Sequence, residues 1–235
     1  LSRPTQALRI NRRSEMSQAR IPLFPLGSVL LPGARLPLQL FEPRYLALAE
    51  TLARAPEAER CFGVLWIRQG HEVGVGAATS LAEVGCEAQV EAMARDHSTG
   101  RIVMHLVATG RRRFHLDRID QAAGTPYLTG EITWLPESAE AADSSLVQSA
   151  RDELAAYQQA MGAQPRDVEA ARGQLAYRIA DQMVLEAADR QCVLVAADEA
   201  ARLIQVRAIL RRETAILRRF HALPRLDPPG GAALN

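Results

Sequence analysis

Between Cys61 and Leu135 the apolar positions of this chain recur mainly with a period of two, and beyond Glu137 the alternation stops. Cys61 to Ile67 (CFGVLWI) is apolar on both faces, which predicts a strand enclosed on both sides. Ala88, Val90, Ala92 and Ala94 alternate with Gln89, Glu91, Met93 and Arg95, predicting a half-exposed strand. Asp96 to Gly100 (DHSTG) predicts a hairpin loop, with Ile102 to Val107 as the return strand. Gly110 interrupts that strand, and Arg112, Phe114 and Leu116 continue it, which predicts a bulge. Tyr127 to Leu135 is the last strand, with Leu128, Ile132 and Trp134 on one side.

Upstream lies PLFPLGSVLLPGARLPLQLFEPRY, residues 22 to 45, a leucine-rich run holding five of the 13 prolines. Proline cannot donate to a sheet ladder, so the run reads as short strands with punctuation. Pro22 and Pro25 flank an extended piece suited to a sheet edge, where a missing N–H costs least. Val29 to Leu31 predicts a short strand stopped by the Pro32-Gly33 turn, and Leu36 to Phe41 the next one. Glu42-Pro43 opens a helix with proline at its first position. Tyr45, Leu48, Ala49 and Leu52 recur at helical spacing as its buried face.

From Glu137 the composition turns alanine-rich and charged. Helices are predicted from Ser145 to Met161, ended by Gly162, then from Pro165 to Met183 and from Ala187 to Val195. A long one starts at Asp198 as N-cap and ends before Pro224. Leu203, Val206, Leu210, Leu217 and Phe220 form its apolar stripe; Arg202, Arg207, Arg211, Arg212, Arg218 and Arg219 read as a solvated face. Strands first and helices second predict an α+β fold, a barrel-like body with a helical appendage.

Composition narrows the chemistry. A hydrophobic content of 48% supports a buried core, and a net charge of +1 gives no general field for nucleic acid or an anionic membrane. All 28 basic residues are arginine, which excludes a P-loop lysine, a Schiff-base lysine and a Ser-Lys dyad. Cys61, Cys86 and Cys192 are widely spaced and odd in number, a reduced pattern that predicts a cytoplasmic location. No apolar run reaches the length of a membrane span. LSRPTQALRINRRSE has no apolar h-region; it reads as a disordered extension or as a start-site artefact ahead of Met16.

The histidines form no metal-ligand pattern; His105 and His115 lie on strands that could bring them together, but no third ligand converges on them. Asp96-His97-Ser98 places triad residue types side by side, where neighbouring side chains point apart. GHEVGVG (70–76) and Gly230-Gly231 match no nucleotide loop. No catalytic residue, metal or cofactor is expected. Arg111-Arg112-Arg113 suggests an anion site, but alternation sends Arg112 to the opposite face from its neighbours, and no aromatics interleave. RNA binding is the alternative reading, and nucleic acid is not the expected partner. Trp66, on its two-sided apolar strand, reads as core.

Pro22-Leu-Phe-Pro-Leu26, Val29-Leu-Leu-Pro-Gly33, Leu38-Gln-Leu-Phe-Glu-Pro-Arg-Tyr45, Val84-Gly-Cys86, Gly110-Arg-Arg-Arg-Phe114 and Leu175-Ala-Tyr-Arg-Ile-Ala180 occur in that order. Together they resemble the N-terminal substrate-binding domain of Lon proteases, and more closely its stand-alone bacterial members, over roughly residues 20 to 220. The resemblance implies an α+β fold: a PUA-like mixed β pseudo-barrel followed by a C-terminal helical bundle with one long terminal helix. The expected organisation is an extension over 1–19, the barrel over 20–138, helices over 139–223 and a disordered tail over 224–235. This sequence carries no Walker A motif and no peptidase lysine, so the resemblance implies recognition without degradation. The expected partners are unfolded or exposed polypeptide segments, in an adaptor role beside a protease or chaperone. Phe41, Glu42, Arg44, Tyr45, Trp66 and Arg113 are the residues expected to bind them.

Overall fold

The computed structural model describes residues 17–70, 78–97, 102–137 and 141–221. Its strands are β1 (Gln18–Leu26), β2 (Arg35–Leu40), β3 (Cys61–Gly70), β4 (Ala78–Leu81), β5 (Val84–Asp96), β6 (Val103–Ile119) and β7 (Thr129–Trp134). Helix α1 (Pro43–Arg54) follows β2, and α2 (Ser144–Ala160), α3 (Leu175–Asp181), α4 (Ala187–Val195) and α5 (Glu199–His221) follow the sheet. The strand order β1-β7-β6-β5-β3 closes on itself because β1 also pairs with β3. That closing contact is parallel and every other pairing is antiparallel, so the pseudo-barrel is mixed.

Two strands change partner along their length. β1 uses Gln18 to Pro22 against β7 and Leu23 to Leu26 against β3. Each half of β1 is thus paired on one edge only, and the prolines fall in a strand whose other edge carries no described partner at that point. Residues 18 and 19 belong to β1 and not to an N-terminal extension. β6 uses one edge for β2 through Met104 to Thr109 and then for β7 from Phe114 onward. Between these stretches lies the expected bulge: Ala88 faces Gly110 while Cys86 faces Arg113, so β6 carries one extra residue just after the glycine.

Val29 to Leu31 is not the expected strand. These residues are buried without a sheet partner, in a loop that crosses β6 at Gly110. Gly33 N–H donates to Gly110 O at 2.8 Å, and Gly110 N–H donates to Ala34 O at 2.9 Å. Gly33 takes φ of 78°, so the turn after Pro32 needs its glycine. Pro165 to Met183 is not one helix either. Only α3 is helical there, and residues 163–170 run irregularly beside α2, where Arg166 N–H donates to Gln158 Oε1 and Val168 is buried. Gly173, at φ of 78°, breaks the pattern just before α3 starts. The short strand β4 carries no alternation that predicts it.

Two apolar clusters hold the fold. The larger joins one side of the sheet, α1 and the later helices; the smaller gathers Leu23, Leu65, Phe114 and Ile132 inside the closed strands. α2 starts at Asp143, whose carboxylate accepts from Ser145 N–H, and α5 is capped by Asp198. Residues 1–16, 71–77, 98–101, 138–140 and 222–235 lie outside the described residues. With them fall the leader and Met16, His71 and the residues of GHEVGVG that follow it, Ser98, and the glycine pair of the tail. No helix among the described residues is long and apolar enough to cross a membrane.

Candidate functional site

Phe41-Glu42-Pro43-Arg44-Tyr45 joins β2 to α1 and behaves locally as its residue types dictate. Glu42 is the N-cap in extended conformation, and its carbonyl accepts from Tyr45 and Leu46 N–H at 2.9 Å each. Pro43 follows, where no helical bond needs its N–H. Arg44 donates to the Glu42 carboxylate at 3.0 and 3.1 Å, and its guanidinium lies 4.6 Å from the centre of the Tyr45 ring. This pair lies within the motif itself. Tyr45 is buried, with its ring centre 4.3 Å from that of Phe24, which in turn meets Phe62 edge-on. Truncating it to alanine is expected to cost about 3 kcal/mol, as for other buried aromatics, measured by urea unfolding.

Phe41 is the contrast. It is 57% exposed although it follows directly on a buried leucine. It stands over a small apolar cavity of about 140 Å³, walled by Phe24, Pro25 and Leu26 of β1 and Leu38, Gln39 and Leu40 of β2, with Tyr45. The cavity marks where β1 and β2 diverge without pairing. Phe41, Glu42 and Tyr45 line this cavity, and Arg44 stands outside its lining, held against Glu42 and the Tyr45 ring. The β1 wall and Gln39 were missing from the expectation, since no local signal tells which strand stands opposite β2.

Trp66 and Arg113 do not join this site. Trp66 is half-buried and lines a separate groove of about 420 Å³ with Arg68, Val84, Gln191, Cys192 and Val195, between the sheet and α4. Arg113 is buried at 2% exposure, out of reach of a bound chain. It donates to the Glu137 carboxylate at 2.7 Å, to Leu194 O at 2.9 Å and to Ala196 O at 2.8 Å. Glu137 also pairs with Arg202 at 2.5 Å, and Arg202 lies 4.5 Å from the Tyr177 ring centre and 3.6 Å from Glu199. This ionic cluster joins β6, the segment after β7, α3 and α5.

Arg202 is thus fully buried and corrects the solvated-face reading of α5 at that position. Burial raises the Glu199 carboxyl above the usual carboxylate range, against the lowering effect of Ala176 N–H and Arg202. Arg207 and Arg211 pair with Glu153 of α2, and Arg212 with Asp189 of α4.

The arginine triplet also differs from simple alternation. Arg111 and Arg112 are both exposed and Arg113 alone points inward, because the bulge shifts the phase. Arg111 donates to Gln89; Arg112 donates to Glu87 and stacks 3.5 Å from the Trp134 ring centre. Each exposed guanidinium is engaged within the sheet.

His105 and His115 sit ten residues apart on the same strand, on the order of 30 Å at ordinary strand rise, and do not approach each other. His105 lies 3.7 Å from Asp96, and His115 contacts Asp117 at 3.1 Å. The Thr133 hydroxyl, and then His115, hold the Asp117 carboxyl below its usual range. Among the described residues no three His, Cys, Asp or Glu side chains gather as metal ligands. Burial pushes both the Cys86 and Cys61 thiols up, away from the thiolate form.

The family model of the substrate-binding domain of the ATP-dependent protease La (LON) matches residues 20–212. The Lon N-terminal domain protein from Xanthomonas campestris superposes with a TM-score of 0.58 at 28% identity, over 81% of this chain and 98% of its own. The N-terminal domain of the Mycobacterium avium complex Lon protease gives 0.59 at 17% identity, over 84% and 98%, a likeness of fold alone. Protein cereblon from Danio rerio is 31% identical over 125 residues. That match takes in 52% of this chain and only 27% of cereblon.

Proposed function

Because the chain belongs to the LON substrate-binding domain family, we propose that it is a non-catalytic module that recognises exposed apolar polypeptide segments at the β2–α1 junction. The exposed Phe41 over an apolar cavity carries this reading, since a large aromatic left in solvent beside an unfilled apolar surface favours a partner. Tyr45 anchors the motif from below, and the Glu42–Arg44 pair fixes its polar rim. In the cell such a module acts as an adaptor, holding clients for a separate protease or chaperone. The free cysteines support a reducing compartment such as the cytoplasm.

The test uses a permanently unfolded client, reduced and carboxymethylated lactalbumin. Phe41→Ala is expected to weaken its capture roughly tenfold, the scale of an aromatic hot spot, while the melting temperature stays unchanged. Capture that survives in Phe41→Ala contradicts the assignment. Raising the salt is expected to change capture little, whereas phosphate recognition by RNA binding weakens steeply.

A further inference from the structure

The gap between β1 and β2 has an uneven set of main-chain groups along its sides. Gly110 N–H donates to Ala34 O, and the β2–β6 ladder runs on from Arg35↔Thr109 to Leu40↔Met104 without a shift. In an antiparallel pair the main-chain groups of successive residues point to opposite edges. Leu36, Leu38 and Leu40 therefore turn theirs to β6, while Arg35, Pro37 and Gln39 turn theirs outward, where β2 meets no other described strand. The same parity fixes β1. Leu23 N–H donates to Leu128 O on the β7 side, so Phe24 and Leu26 face β3, and Pro25 faces the gap.

Both gap-facing prolines lack the N–H that any other residue would present there. The outward edge of β2 keeps the carbonyls of Arg35, Pro37 and Gln39 but only the N–H groups of Arg35 and Gln39. Such an edge is a poor match for a second copy of itself. Antiparallel self-pairing centred on Pro37 sets proline against proline with no donor on either side. It suits a partner richer in donors, and an ordinary extended chain offers an N–H at every second residue along one edge.

We propose that the client adds to the free edge of β2 as an extended strand. Its N–H groups donate to Arg35, Pro37 and Gln39 carbonyls, and one apolar side chain enters the cavity beside Phe41. This mode rests on the function proposed above and supplies its specificity: the client segment must be extended, apolar and free of proline in the facing register.

The probe is a short fluorescein-labelled peptide alternating leucine and serine. Methylating its main-chain nitrogens at every second residue, first in one register and then in the other, blocks one strand edge at a time. The two series are expected to differ in affinity by roughly tenfold or more, the worth of two or three hydrogen bonds. Gln39→Pro removes an outward donor without touching the β2–β6 ladder. It is expected to weaken the unmethylated peptide roughly fivefold with an unchanged melting temperature, whereas Leu38→Pro breaks a ladder bond and lowers it. Equal affinities for the two methylated series, or a Gln39→Pro chain that melts like Leu38→Pro, overturn strand addition. If capture still depends on Phe41 in that case, the recognition site stands and only the mode falls; if the wild-type chain binds no peptide, both fall.

Discussion

Arg202→Ala will cost about 3–5 kcal/mol of stability, the range found when one partner of a buried ion pair is removed. Arg202 is 1% exposed, and its guanidinium serves Glu137, Glu199, Gly173 O and the Tyr177 ring together. Without it Glu199 keeps the Ala176 N–H bond at 3.1 Å but loses the arginine it is paired with. A buried charge left in that state is worse than no charge at all. Arg202→Met combined with Glu199→Gln should therefore recover part of the loss, because glutamine still accepts from Ala176 and methionine fills the space. Urea unfolding of the single and double variants reads this directly. A double variant no more stable than Arg202→Ala would show that packing, and not the stranded charge, dominates.

Gly110→Ala will cost about 3 kcal/mol, at the upper end of ordinary overpacking. A methyl group at Gly110 would lie 2.2 Å from Leu31 O and 3.0 Å from the Leu31 carbonyl carbon. Those are backbone atoms of the loop that crosses β6, so no rotamer change relieves the contact. The loop would have to lift, and with it the hydrogen bonds from Gly33 to Gly110 and from Gly110 to Ala34. Leu31 is fully buried, so lifting it opens the core as well. Thermal unfolding of Gly110→Ala checks this; a melting temperature equal to wild type would mean that the crossing is looser than described.

These two residues also mark what the sequence alone could tell. The interruption at Gly110 predicted a bulge, and the bulge is there, but the crossing loop that demands glycine depends on contacts far along the chain. Val29 to Leu31 look like a strand because they are apolar and β-prone in part; they are buried by the crossing itself and pair with no described strand. The start and buried face of helix α1 were legible to the residue, since proline at its start and the spacing of Tyr45, Leu48, Ala49 and Leu52 are local signals. The span from Pro165 was misread because helix-forming residues there are overridden by Gly173 and by packing against α2.

Arg202 was misread from composition, although it lies four residues before Val206 and eight before Leu210, on the inward face of α5. Its acid partner Glu137, beyond the last strand, was invisible as a partner in sequence. Of the candidate site, the motif from Phe41 to Tyr45 was legible because capping and apolar periodicity meet there. The opposing wall from Phe24 to Leu26 was not, since nothing local says that β1 and β2 part at that point.

The most direct test of the central claim, that a client engages the β2–α1 junction, is amide hydrogen exchange with and without saturating unfolded lactalbumin. Outward-facing amides of β2 have no ladder partner, so a client that docks there must slow their exchange. The expected result is new protection across residues 35–45, with α4 and α5 unchanged. Protection confined to the helices, or to the groove around Trp66 with residues 35–45 exchanging as in the free chain, would contradict the assignment.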